Sequence, residues 1–110
     1  MERFVKGDIV VLTFPYSDLS TAKRRPAMVL ADLEGKDLIL CQITSQFVKD
    51  DYSIALRSSD FISGSLNKPS NIRPNRLFTA EKSIIIRKIG TVNRNVFEKV
   101  VNKLFAIIKH

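Results

Sequence analysis

The feature that most limits the folds open to this chain is a change of period at Asn93. Before it, apolar residues come in short, often β-branched runs bounded by Gly, Pro, Asp or Ser; after it, they recur at helical spacing. A series of short strands followed by one amphipathic helix favours a small antiparallel barrel that the helix closes. Asn93 is placed to cap that helix, with Val92 and Phe97 at the two staple positions. Phe97, Val100, Val101, Leu104 and Ile108 are expected to form its apolar stripe, with Lys99, Asn102 and Lys103 on the other face.

The strand-like runs can be placed one by one. Asp8–Phe14, set between Gly7 and Pro15, is apolar on much of both faces, as in a strand covered on both sides. Tyr16 to Lys23 is polar and without periodicity, and reads either as a plain long connection or as a mobile binding loop. Pro26–Ala31 and Leu38–Thr44 form the next two strands, joined by an acidic turn in which Gly35 supplies the positive φ. A short strand fits Tyr52–Leu56, and Arg57 to Asn71 reads as loop with one helical turn near Ser59–Phe61. Ile72–Thr79 suggests an interrupted or edge strand, because Pro74 cannot donate to a ladder, and Ser83–Ile89 is a strand stopped by Gly90. The result is a mainly β fold with α: six strands and a C-terminal helix in a single domain, residues 1–110.

Composition sets the class of partner. At 45% hydrophobic and 26% charged residues the chain is an ordinary globular sequence, with no run long enough to span a membrane and no signal-like N-terminus, so a soluble cytoplasmic protein is expected. Cys41, alone in an apolar strand pattern, reads as a small buried hydrophobe in a reducing compartment. The net charge of +7 is uneven: residues 68–110 carry ten Lys/Arg against two Glu, and Lys23-Arg24-Arg25 adds a second basic point. Such a field suits a polyanion or an acidic protein partner, or is simply a solvated basic face. One Cys and a terminal His110 cannot build a Cys/His cage or a hydrolytic triad, and no glycine-rich phosphate loop occurs. No metal and no cofactor are expected.

The remaining candidates lie where loop becomes strand. Arg24-Arg25-Pro26-Ala27-Met28-Val29-Leu30 puts guanidinium groups at the rim of a core, with Pro26 biasing Arg25 toward an extended backbone. Thr44 and Gln46 follow the apolar alternation that ends at Ile43, so two strand ends can bring Arg25 and the Thr44 hydroxyl together. An arginine fork matches phosphate oxygens and can stabilise the added charge of a pentacoordinate transition state, although an Arg flanking a strand also commonly makes a salt bridge.

At these residues the chain resembles the PemK/MazF family of toxin–antitoxin ribonucleases. The resemblance runs through Gly7-Asp8-Ile9-Val10, Phe14-Pro15, Arg24 to Leu30, Ile43-Thr44-Ser45-Gln46, Arg76-Leu77-Phe78-Thr79 and Ile89-Gly90-Thr91-Val92. It implies an SH3-like antiparallel β-barrel with a C-terminal α-helix, a homodimer, and metal-independent cleavage of single-stranded RNA through the RNA's own 2′-hydroxyl, leaving a cyclic phosphate. Arg25 and Thr44 take the catalytic positions. Tyr16, Lys23, Arg24, Ser45, Gln46, Arg73 and Arg76 are the expected RNA-binding residues. A cognate antitoxin is expected to cover the groove and the Tyr16–Lys23 region. Some family members carry Arg-x-Asp before the proline of the late strand; here Asn71-Ile72-Arg73 precedes Pro74, and that carboxylate is missing. The same fold also carries non-catalytic, gyrase-inhibiting toxins of the CcdB kind, and a basic RNA-binding module remains a further alternative.

Overall fold

The computed structural model describes residues 3–14 and 23–110. Seven strands follow in order: β1 (Asp8–Phe14), β2 (Lys23–Asp32), β3 (Asp37–Thr44), β4 (Ile54–Leu56), β5 (Phe61–Gly64), β6 (Ser70–Glu81) and β7 (Ile85–Val92). Single 3-10 turns occupy Ser58–Asp60 and Lys82–Ile84, and the chain ends in α1 (Arg94–Lys109). The strands make one curled sheet in the order β4-β6-β3-β2-β1-β7-β5, antiparallel at each pairing. With its C-terminal helix this is the mainly β, small-barrel architecture that the sequence predicts.

The middle of the sheet is buried on both faces, which explains why β1 reads as nearly continuous apolar sequence. On the helix side Ile9, Met28, Cys41 and Ile43 pack with Leu56, Ile72, Val92, Val96 and Val100. On the other side Val10, Leu12, Ala27, Val29, Leu38 and Leu40 pack with Phe4 and Ala80. Asp8 is the one buried carboxylate among the described residues. It accepts hydrogen bonds from the Val5 N–H at 2.9 Å and the Thr91 hydroxyl at 2.8 Å, with Lys88 Nζ at 3.6 Å, and so ties the start of the chain and β7 to β1.

Four expectations need correction. Seven strands form rather than six, because Phe61–Gly64 is a strand and not loop. Gly90 lies inside β7 rather than ending it: a Cβ there would stand 2.6 Å from the Ser63 carbonyl and 2.8 Å from the Phe61 ring, so the missing side chain is what lets β5 lie against β7. Strand β6 is interrupted as expected, but it is flanked by β3 and β4 and is not an edge. Its partner on β3 jumps from Leu77 at Cys41 to Arg73 at Gln42, so Pro74, Asn75 and Arg76 bulge out where a missing N–H costs no ladder bond. The helix is capped as expected, with Asn93 Oδ1 accepting from the Val96 N–H at 2.9 Å. Val100 is buried and Phe97 packs against the core as expected, with Val96 beside them, but Ile108 is 67% exposed, because the helix packs on β6 and β4 and its last turn leaves the sheet behind.

Candidate active site

Pairing between β1 and β2 is regular from Phe14↔Lys23 to Ile9↔Met28, so alternation assigns Lys23, Arg25 and Ala27 to one face of β2 and Arg24, Pro26 and Met28 to the other. Between β2 and β3 the register runs Val29↔Leu40, Met28↔Cys41, Ala27↔Gln42. The pairing ends at Ala27; continued at the same register it would put Arg25 across from Thr44. On the far side of β3, Gln42 pairs with Arg73 and Thr44 with Asn71. Directly opposed residues share a face with Cβ atoms about 4.5–5.5 Å apart. Arg25, Gln42, Thr44, Asn71 and Arg73 therefore form one polar surface, reached from three strands.

Local hydrogen bonds shape this surface. Thr44 Oγ1 accepts from the Gln46 N–H at 3.1 Å, which turns the chain as it leaves β3. The Asn71 amide donates to the Gln46 carbonyl at 3.4 Å and steadies the same turn. Arg73 Nη2 donates to Asp50 Oδ2 at 3.1 Å, and Asp50 Oδ1 accepts from the N–H groups of Tyr52 at 3.0 Å and Ser53 at 3.2 Å. Desolvation resists ionisation of Asp50, but the Tyr52 N–H, the Arg73 guanidinium and the Ser53 N–H outweigh it and hold the carboxyl below the usual carboxylate range. Arg73 Nε is buried without a hydrogen-bond partner among the described residues. Arg25, exposed at the rim beside fully buried Leu12, makes no salt bridge among them.

Of the residues singled out from the sequence, Thr44 and Arg73 lie on one face of the β3–β6 pair, alternation puts Arg25 on the same face of the sheet, and Lys23 continues that face at the exposed start of β2. Gln46 joins through its backbone. Arg24 lies on the opposite face of β2, Ser45 is exposed just past β3, and Arg76 is exposed in the β6 bulge. Tyr16 lies outside the described residues. Gln42, Asn71 and Asp50 were not anticipated as site residues. Gln42 was findable, since it stands two residues before Thr44 on the same strand; Asp50 was not, because its partner is 23 residues away and no local pattern links them. Among the described residues no three His, Cys, Asp or Glu side chains are grouped to hold a metal ion, and no helix is long and apolar enough to cross a membrane.

Residues 5–108 match the model of a family described as PemK-like, MazF-like toxin of type II toxin-antitoxin system. No curated protein matches the sequence. In fold the chain is similar to MazF from Deinococcus radiodurans, at 19% identity over all of both chains and a TM-score of 0.79. It is also similar to an endoribonuclease in complex with its cognate antitoxin from a mycobacterial species, at 13% identity over 99% of this chain and 96% of that one, TM-score 0.75. A third is the Mycobacterium tuberculosis toxin MazF-mt6, at 15% identity over 93% and 96% of the two chains, TM-score 0.73.

Proposed function

The chain belongs to the PemK-like, MazF-like family of toxins of type II toxin-antitoxin systems, and on that premise we propose that it is a metal-independent endoribonuclease cutting single-stranded RNA sequence-selectively. What supports this reading is the polar face on which strand alternation puts Arg25 together with Thr44 and Arg73. The substrate's 2′-oxygen attacks the adjacent phosphorus, the bond to the 5′-oxygen breaks, and a 2′,3′-cyclic phosphate and a 5′-hydroxyl result. The 2′-hydroxyl proton passes to an acceptor and the leaving oxygen gains one. Arg25 lays its fork on the non-bridging oxygens, whose charge grows in the transition state, and the Thr44 hydroxyl donates to one of them. Lys23, Arg73 and Arg76, with the Ser45–Gln46 turn and Tyr16, hold the RNA backbone, and Arg24 adds positive charge from the opposite face of β2. Water and weakly placed cations would not discriminate between ground and transition state in this way.

The protein works as a homodimer in the cytoplasm, each chain a single domain, and is neutralised by a cognate antitoxin. Exposed Phe47, Ile62, Phe105 and Ile108 leave apolar surface for self-association, and a net charge of +7 suits both RNA and an acidic antitoxin segment. The complexes known for similar folds include MazE–MazF from Deinococcus radiodurans. The test is cleavage of a single-stranded RNA in EDTA, with a matched oligonucleotide lacking 2′-hydroxyls as control. Cutting of the first only, with cyclic-phosphate ends, is the expected result. Exposed Phe105 and Ile108 on α1 also suit a non-catalytic toxin that acts through its helix, for which both oligonucleotides would stay intact.

A further inference from the structure

We propose that Asp50 is a positioning residue for cleavage: from the β3–β4 connection its carboxylate holds the Arg73 guanidinium at a fixed angle beside Gln42 and Thr44, where Arg73 meets the scissile phosphodiester. The inference rests on the ribonuclease reading and adds to it a residue that no sequence motif marks. Three observations carry it. Asp50 is itself anchored, because one carboxylate oxygen takes the backbone N–H groups of Tyr52 and Ser53 while the other takes Arg73 Nη2 at 3.1 Å. Arg73 is placed by register, opposite Gln42 and one residue before the buried Pro74 at the bulge, with its side chain 21% exposed. Its Nε is buried and has no hydrogen-bond partner among the described residues.

Here the carboxylate takes one nitrogen and steers the rest of the fork. Arg25, by contrast, has no salt bridge among the described residues. Among them Arg73 is held by a carboxylate and Arg25 is not. The arrangement supplies, from a different part of the chain, a carboxylate beside the late-strand arginine, and it does so as a clamp whose oxygens are all engaged rather than as a proton acceptor.

Asp50→Asn separates the two roles of this side chain. The asparagine oxygen still accepts from Tyr52 and Ser53, so the turn is kept, but its amide now faces Arg73 donor to donor and the clamp is lost. The expected result is a folded protein whose kcat for RNA cleavage falls about ten- to a hundredfold, the scale of a misplaced catalytic group. KM should stay within about threefold or fall, because removing a negative charge favours binding of a polyanion. In an Arg73→Ala background the same substitution should change kcat no further. Wild-type kcat in Asp50→Asn, or an equal loss with and without Arg73, would overturn the proposal. Should Asp50→Asn not fold, Arg73→Lys tests it from the other side: the charge stays, the fork is lost, and an unchanged kcat overturns the proposal. RNA left intact by the wild type would remove the ribonuclease reading and this inference with it, an outcome distinct from active wild type with an indifferent Asp50.

Discussion

One face of β2, β3 and β6 is apolar at one end and polar at the other. Val29, Leu40 and Phe78 lie in register at the apolar end, with Leu38 and Ala80 beyond them. Arg25, Thr44, Asn71 and Arg73 occupy the polar end of the same strands, with Ala27 and Gln42 at the boundary. The divide on β6 falls at the Pro74–Arg76 bulge, which re-aims the strand between its two uses. Each fully buried aliphatic side chain of the apolar end contributes about 1.5–3 kcal/mol. Half-exposed polar contacts and ion pairs contribute about 0–1 kcal/mol. The two ends should therefore separate cleanly under mutation, one governing stability and the other chemistry.

The largest effect should come from the apolar end. Leu40→Ala removes a wholly buried side chain and should cost about 2–5 kcal/mol in urea unfolding, while cleavage per folded molecule stays at the wild-type level. A loss of cleavage out of proportion to the folded fraction would break the comparison. At the polar end, Thr44→Val keeps the side-chain shape and removes the hydroxyl. It should lower the cleavage rate about a hundredfold, the size of losing one transition-state donor, and move the urea midpoint little.

The sequence made parts of both ends legible. Gly35 at φ 92°, the Asn93 cap and the interruption at Pro74 each depend on residues within a few positions of one another, where propensity and turn chemistry act. Arg25 and Thr44 were legible as strand-end residues because alternation counts forward from the buried positions. Strand β5 was not, since Phe61-Ile62-Ser63-Gly64 has no apolar alternation and its pairing depends on the bare backbone of Gly90, far along the chain. The Asp50–Arg73 pair was hidden for the same reason. The helix period made Val100 and Phe97 legible as core-facing, whereas the burial of Val96 depends on packing against β6 and β4.

Smaller effects sharpen the contrast. The folded-state pKa of Asp50 is held low, so its interactions stabilise the protein at pH values above the unfolded carboxyl's ordinary value and are lost as pH falls through the lower folded value. Melting temperatures of wild type and Asp50→Asn should therefore differ slightly above about pH 4 and converge in more acidic buffer. A gap that widened with acid would contradict the sign. Cys41 reports on the buried middle of the sheet: burial pushes its thiol up to about 12, only partly offset by a hydrogen bond with the Met28 backbone. It should stay unreactive toward a thiol reagent at neutral pH until the core opens, so labelling should quicken in Leu40→Ala and not in Thr44→Val.

The most direct measurement is Arg25→Ala followed in two assays on the same sample, cleavage of single-stranded RNA in EDTA and urea unfolding. The expected result is a loss of about a hundred- to a thousandfold in rate, about 2.7–4 kcal/mol of transition-state stabilisation. Stability should remain within about 0.5 kcal/mol of wild type, as for a surface side chain. Cleavage at the wild-type rate by folded Arg25→Ala would contradict the assignment of chemistry to the polar end.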